Sequence, residues 1–198
     1  MRSALFVVFS VLFAAANSSN ALVSFYLPSP NHLSAIYFQP NTNYLVQNIR
    51  FEPINQLKTV IQTELGIELI DRGEAHITVI SPPEFTDIQN YISISEINAF
   101  AREKQLQTMS FKAVCVGSRA VTINGLKEQT FYAVVQSPAL VEFRRLIYEA
   151  AKAKGYAGSG FNPDVYYPHI TIGYKHRDLH AQDGAIKDTS SCIWYFFR

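Results

Sequence analysis

Cysteine, methionine and tryptophan are scarce in this chain of 198 residues, with two, two and one copies. Two cysteines permit a single intramolecular pairing, Cys115 with Cys192, which excludes a fold stapled by several disulfides. Both lie in apolar, strand-like runs, so a disulfide and a pair of buried thiols remain open readings. Charge is also scarce, at 17% with a formal net charge of +1. No global field would draw in a nucleic-acid duplex, so duplex DNA is excluded as a partner and any anionic ligand must be held locally. No solenoid-length repeat, low-complexity tract or long charged block is present. After residue 16 no apolar run is long enough to cross a bilayer.

What the chain does have begins at its N-terminus. Arg2 gives a short positive start, Ala4 to Ala16 is almost continuously apolar, and Ala14-Ala15-Ala16 and Ser19-Asn20-Ala21 supply small-residue cleavage patterns. Residues 1–21 therefore read as a secretory signal peptide, with an uncleaved anchor or a buried helix as the alternatives. Residues 22–198 read as one secreted domain, monomeric and free of the membrane after cleavage.

Within that domain helices and strands interleave. Leu33 to Phe38 looks like an opening strand and Pro40 to Asn43 a turn. Pro53 fits the first turn of a helix whose Ile54, Leu57, Val60, Ile61 and Leu65 recur at helical spacing up to Gly66. Ala75 to Ile80 alternates as a strand stopped by Pro82-Pro83. Ser93 and Glu96 form a capping box for a helix to about Lys104. Strands are expected near Ser110 to Val116, Arg119 to Ile123 and Thr130 to Gln136, with Asn124-Gly125 turning between the last two. Ser137 and Pro138 open an amphipathic helix ending at Gly155. A Gly-, Pro- and aromatic-rich loop then leads to a strand from His169 to Tyr174, and Ile193 to Phe197 reads as a terminal strand. The order implies an α+β fold with helices packed outside an antiparallel or mixed sheet.

Two of these strands carry the same pattern, Ala75-His76-Ile77-Thr78-Val79 and Pro168-His169-Ile170-Thr171-Ile172. Strand side chains alternate between faces, so each strand presents an imidazole beside a hydroxyl while the intervening isoleucine faces the core. One His-apolar-Thr-apolar tetrad arises by chance in roughly one chain in ten of this length, and two copies are far more informative. Two imidazoles titrating near neutrality suit phosphodiester cleavage: a neutral one accepts a proton from the attacking oxygen and a protonated one supplies the leaving oxygen. Neighbouring hydroxyls can donate to the non-bridging phosphate oxygens.

Paired His-x-Thr motifs of this kind resemble the signature of the two-histidine (2H) phosphoesterases, which include RNA 2′,3′-cyclic phosphodiesterases and 2′-5′ RNA ligase-like proteins. Pro168 ahead of the second motif also resembles many members, whereas Gly173-Tyr174-Lys175 replaces the arginine that some carry nearby. The resemblance implies a bilobal fold of two pseudo-symmetric α/β lobes around one cleft. It also implies a cofactor-free, metal-independent phosphodiesterase with His76 and His169 catalytic, Thr78 and Thr171 on the phosphate, and a nucleotide or RNA end as substrate. A 2′,3′-cyclic phosphate or 2′-5′ linkage is the expected bond.

Around the motifs, Lys175 shares the strand parity of His169 and Thr171 and is a phosphate candidate if the strand stays regular. Gly173, on the same parity, would leave room for ligand. Arg72 precedes the first motif and either reaches the cleft or is a solvated turn residue. Phe161, Tyr166 and Tyr167 are candidates for stacking on a base, against packing within the loop. His176 and His180 are four apart, a metal spacing on a helix, but Lys175, Arg177, Asp178 and Gln182 around them read as a solvated connection. Two other functional classes compete with the enzyme: an exported module that binds a nucleotide or RNA end without turnover, and an interaction protein with coincidental motifs.

Overall fold

The computed structural model describes residues 40–196, so the expected signal peptide, the expected start of the domain at 22 and the strand expected at 33–38 lie outside the described residues. The described chain forms one six-stranded antiparallel sheet and four helices. The strands are β1 (Leu45–Ile49), β2 (Ala75–Ile80), β3 (Lys112–Ile123), β4 (Leu126–Gln136), β5 (His169–Tyr174) and β6 (Cys192–Tyr195), in the order β1-β2-β5-β4-β3-β6. The helices are α1 (Phe51–Leu65), α2 (Pro82–Ile88), α3 (Ile94–Glu103) and α4 (Pro138–Lys152).

Local signals set most boundaries. Gly66 ends α1 in the left-handed region at φ 61°, where a side chain would be strained. Ser93 and Glu96 cap α3 reciprocally, and Ser137 caps α4 by accepting from Leu140 N–H. The two strands expected between Ser110 and Ile123 are one strand, β3, which pairs along its length with β4. Ser118 and Gln129 hydrogen-bond across that hairpin, which joins the two segments. Pro82-Pro83 not only stops β2 but opens α2, with Ser81 and Glu84 as a capping box.

One face of the sheet packs on the helices. Ile77, Val79, Ile80, Ala133, Val135, Ile170 and Ile172 meet Ile54, Leu57 and Ile61 of α1, Ile97 of α3 and Leu140, Phe143 and Ile147 of α4 in the main core. The other face carries a smaller apolar cluster of Cys115, Tyr132 and Val134. Cys115 and Cys192 are disulfide-bonded there, with Cα atoms 5.7 Å apart, fastening the last strand to β3. Between β2 and β5 the ladder has one rung, Ile77 opposite Ile170. That junction divides the sheet into two strands on one side and four on the other.

Candidate active site

The junction between β2 and β5 creates the site. With Ile77 opposite Ile170 in an antiparallel pair, His76 lies across from Thr171 and Thr78 across from His169. The four side chains share the face opposite the helical core, half-buried, while Ile77, Val79, Ile170 and Ile172 are buried on the other side. Both motifs thus reach one patch of surface, and β4 adds Tyr132 beside Thr171 and Val134 beside His169.

The two imidazoles are supported differently at Nδ1, His169 by a hydrogen bond and His76 only by a nearby carboxylate. His169 Nδ1 lies 2.8 Å from the Tyr167 carbonyl, which fixes the proton there and leaves Nε2 free. Tyr132 meets its ring edge-on at 5.8 Å. His76 Nδ1 lies 3.7 Å from Glu74 Oε1. Burial holds both imidazoles below the ordinary histidine range, the stronger shift falling on His169, where the Lys187 ammonium adds to it. At His76 the Glu74 carboxylate partly opposes burial. The resting site therefore holds neutral imidazoles, with His76 the more readily protonated.

Three residues complete the electrostatics. Asp178 is buried and accepts from Thr130 Oγ1 at 2.7 Å, from Lys187 Nζ at 3.0 Å and from Thr171 Oγ1 at 3.2 Å. Lys187 is buried as well. Arg72, half-exposed, approaches Asp178 Oδ2 at 3.5 Å. The reading of 175–182 as a solvated connection is thus corrected at Asp178, which is drawn inward by the hydroxyls of β4 and β5 and by Lys187. Nothing in the local sequence marked Lys187. Nor did the local sequence mark Asp178, whose burial depends on contacts with β4 and Lys187.

The outer candidates fare unevenly. Ile172 is an extra residue in β5, since Thr171 pairs with Tyr132 and Gly173 with Phe131. This bulge reverses the parity beyond it. Gly173 accordingly faces Leu69 and Ile70, where an added Cβ would lie 3.0 and 3.1 Å from their atoms, and not the cleft. Lys175 follows the same reversal. It lines a separate depression of about 490 Å³ with Ile67, Glu68, Leu69, Ile70, Lys127 and His176. Phe161 is also corrected, because it is fully buried and offers no face to a base, whereas Tyr166 is half-buried with one face on Arg144. The buried Arg144 guanidinium sits between them, 4.7 and 4.5 Å from the ring centroids. Arg144 also donates to the Val79 and Asn162 carbonyls and pairs with Glu84. Tyr166 donates to the Thr78 carbonyl at 2.9 Å. These side chains brace the second-motif loop against β2. Tyr167 is the exposed one of the three aromatics, and it borders a depression of about 150 Å³ together with Tyr166, Val134, Pro168, Lys187 and Thr189. His176 and His180 are not on a helix, and His176 Nδ1 meets Glu128 at 3.2 Å.

Compared with known families, residues 43–180 match the 2H-SAK family, "Swiss Army Knife, 2H phosphoesterase domain". The chain is a 2H phosphoesterase. Membership carries phosphodiester hydrolysis, by a family that is generally metal-independent, as the coarse activity. No curated protein and no solved structure matches the chain. The matched span of this 2H phosphoesterase holds both motifs and Asp178, and it stops before Lys187 and Cys192.

Proposed function

We propose that this 2H phosphoesterase is a secreted, metal-independent phosphodiesterase acting on a nucleotide or RNA end, with a 2′,3′-cyclic phosphate or 2′-5′ linkage as the bond cleaved. The observation that carries this reading is the Ile77–Ile170 rung, which puts two imidazoles and two hydroxyls on one face. His169, the harder to protonate, is assigned as the base, and His76, beside Glu74, as the acid. Water loses a proton to His169 Nε2 as its oxygen bonds to phosphorus. The bond from phosphorus to the ribose oxygen breaks, and that oxygen takes the proton from His76. Thr78 and Thr171 bind the non-bridging oxygens, holding the phosphorus in line and offsetting charge in the transition state. The bound phosphate anion itself favours protonation of His76.

The two sides of the β2–β5 junction are assigned as the family's two lobes, each supplying one motif. Tyr167 and the depression beside His169 are where a base would rest. Export is supported by the apolar N-terminal run and agrees with the Cys115–Cys192 disulfide. The test is turnover of a panel of 2′,3′-cyclic nucleotides, 2′-5′ and 3′-5′ dinucleotides by the purified protein, with and without chelator. Release of a phosphomonoester unaffected by chelator is expected. Tight binding of the panel with no turnover would replace the enzyme by a binding module.

A further inference from the structure

Lys187 lies outside the span shared with the family, on the stretch between two short 3₁₀ turns at 181–183 and 189–191. An ammonium is seldom buried without a partner that fixes its place. Lys187 Nζ is 3.0 Å from Asp178 Oδ1 and 5.4 Å from the centre of the Tyr132 ring. The other Asp178 oxygen accepts the Thr171 hydroxyl. The stretch carrying Lys187 is itself fastened down. Arg119 donates to the Ile186 carbonyl at 2.9 Å and to Ser190 Oγ at 2.6 Å, and Cys192 is bonded to Cys115 of the same sheet face.

We propose that Lys187 is a positioning residue of the phosphate site, a cation delivered by the C-terminal stretch that holds Asp178 against Thr171 and draws the phosphate anion toward His169. The proposal rests on the phosphodiester reading for the reaction, though its binding component stands without it. Carboxylate and ammonium act together here. Asp178 alone, beside the phosphate oxygens, would repel the substrate, and Lys187 cancels that charge while keeping the hydrogen bond that orients Thr171. The charged groups facing the two imidazoles are Glu74 and Arg72 from the turn before β2, and Asp178 and Lys187 from the C-terminal stretch, with His180 near Asp178. Lys187 disfavours the protonated form of both histidines.

The experiment compares wild type, Lys187→Met, Lys187→Arg and the double variant Asp178→Asn/Lys187→Met. The double variant removes both charges, so that no lone buried carboxylate is left to unfold the protein. Orthophosphate is the binding probe, the imidazole titrations of His76 and His169 are followed by NMR, and KM and kcat are measured on a 2′,3′-cyclic nucleotide. Orthophosphate affinity should fall about tenfold in Lys187→Met, and by less in the double variant, which loses the repelling Asp178 charge as well. Arginine should restore most of it, and both histidines should titrate higher in Lys187→Met. A merely structural lysine would move neither the titrations nor the arginine rescue. If wild type cleaves no diester while orthophosphate binding weakens as described, the activity reading fails and Lys187 keeps its role. Diester cleavage by wild type, with folded Lys187→Met equal to it in orthophosphate affinity, KM and histidine titration, overturns the role of Lys187 alone.

Discussion

On β2, His76 and Thr78 stand beside an exposed Glu74 and a half-exposed Arg72, whereas on β5 His169 and Thr171 are backed by the Tyr167 carbonyl, Tyr132 and the buried Asp178–Lys187 pair. The same four-residue pattern therefore yields two chemically different half-sites. The first is open and its imidazole has a carboxylate at hand, and the second is drier and backed by a cation. Such divergence separates a proton donor from a proton acceptor built from one residue type. On the proposed mechanism the motif sets which atoms face the substrate, and the surroundings set the proton traffic.

Removing either imidazole is the severest way to break the comparison. His76→Ala and His169→Ala should each lower kcat/KM by about 10²- to 10⁴-fold, and the double replacement should cost far less than the product because the two act on one transition state. Steady-state kinetics on the preferred diester checks this, and full activity in either single variant would remove that histidine from the mechanism.

Arg144 ties the half-sites together, since it holds the Val79 carbonyl after the first motif and the Asn162 carbonyl in the loop before the second. Arg144→Met leaves Glu84 with its Ser81 bonds but no cation and removes the guanidinium between two aromatic rings, and should cost about 3 kcal/mol of folding free energy. Urea unfolding measures it, and a loss below about 1 kcal/mol would show that the loop is braced by other contacts.

A subtler asymmetry is expected between the threonines. Thr171→Ala removes both the proposed phosphate contact and a partner of Asp178, and should slow turnover about tenfold, against about threefold for Thr78→Ala, where water can replace the hydroxyl. Equal losses would mean that Asp178 does not tune Thr171.

The last contrast is read in stability against pH. His76 and His169 titrate lower in the folded than in the unfolded chain, so the unfolded chain takes up protons first as pH falls. The resulting stability is fully present above the unfolded value, near pH 6.5, and is lost as pH falls through the lower folded values. Thermal unfolding between pH 7 and pH 4 should show this slope, and His169→Gln should flatten it. An equally steep slope in that variant would place the linkage elsewhere.

Legibility in the sequence followed locality. Helix α1 was readable from a proline in its first turn, apolar residues at helical spacing and a closing glycine, all signals that lie within or beside the helix itself. The motif strands were readable because alternation fixes the face of four residues at once. The first strand, Leu45–Ile49, was missed: it reads Leu-Val-Gln-Asn-Ile, and its buried Gln47 is tolerated only because the side chain donates to the Leu106 and Met109 carbonyls, about 60 residues away. Helix α2 was overlooked although Ser81, Pro82 and Glu84 form a start signal, because two prolines after a strand read first as a stop. In the site, the two His-x-Thr pairs were legible and their support was not. The bulge at Ile172, the burial of Asp178 and the arrival of Lys187 all depend on which strand lies beside which, and no local pattern encodes that.

The central claim, that the two half-sites divide base from acid, is tested most directly by the pH dependence of kcat/KM on a 2′,3′-cyclic nucleotide for wild type, His169→Ala and His76→Ala. Wild type should give a bell whose two apparent values belong to the coupled pair. In the residual activity of His169→Ala the acidic limb should vanish, and in that of His76→Ala the alkaline limb. An unchanged bell in either variant, or loss of the same limb in both, would contradict the division.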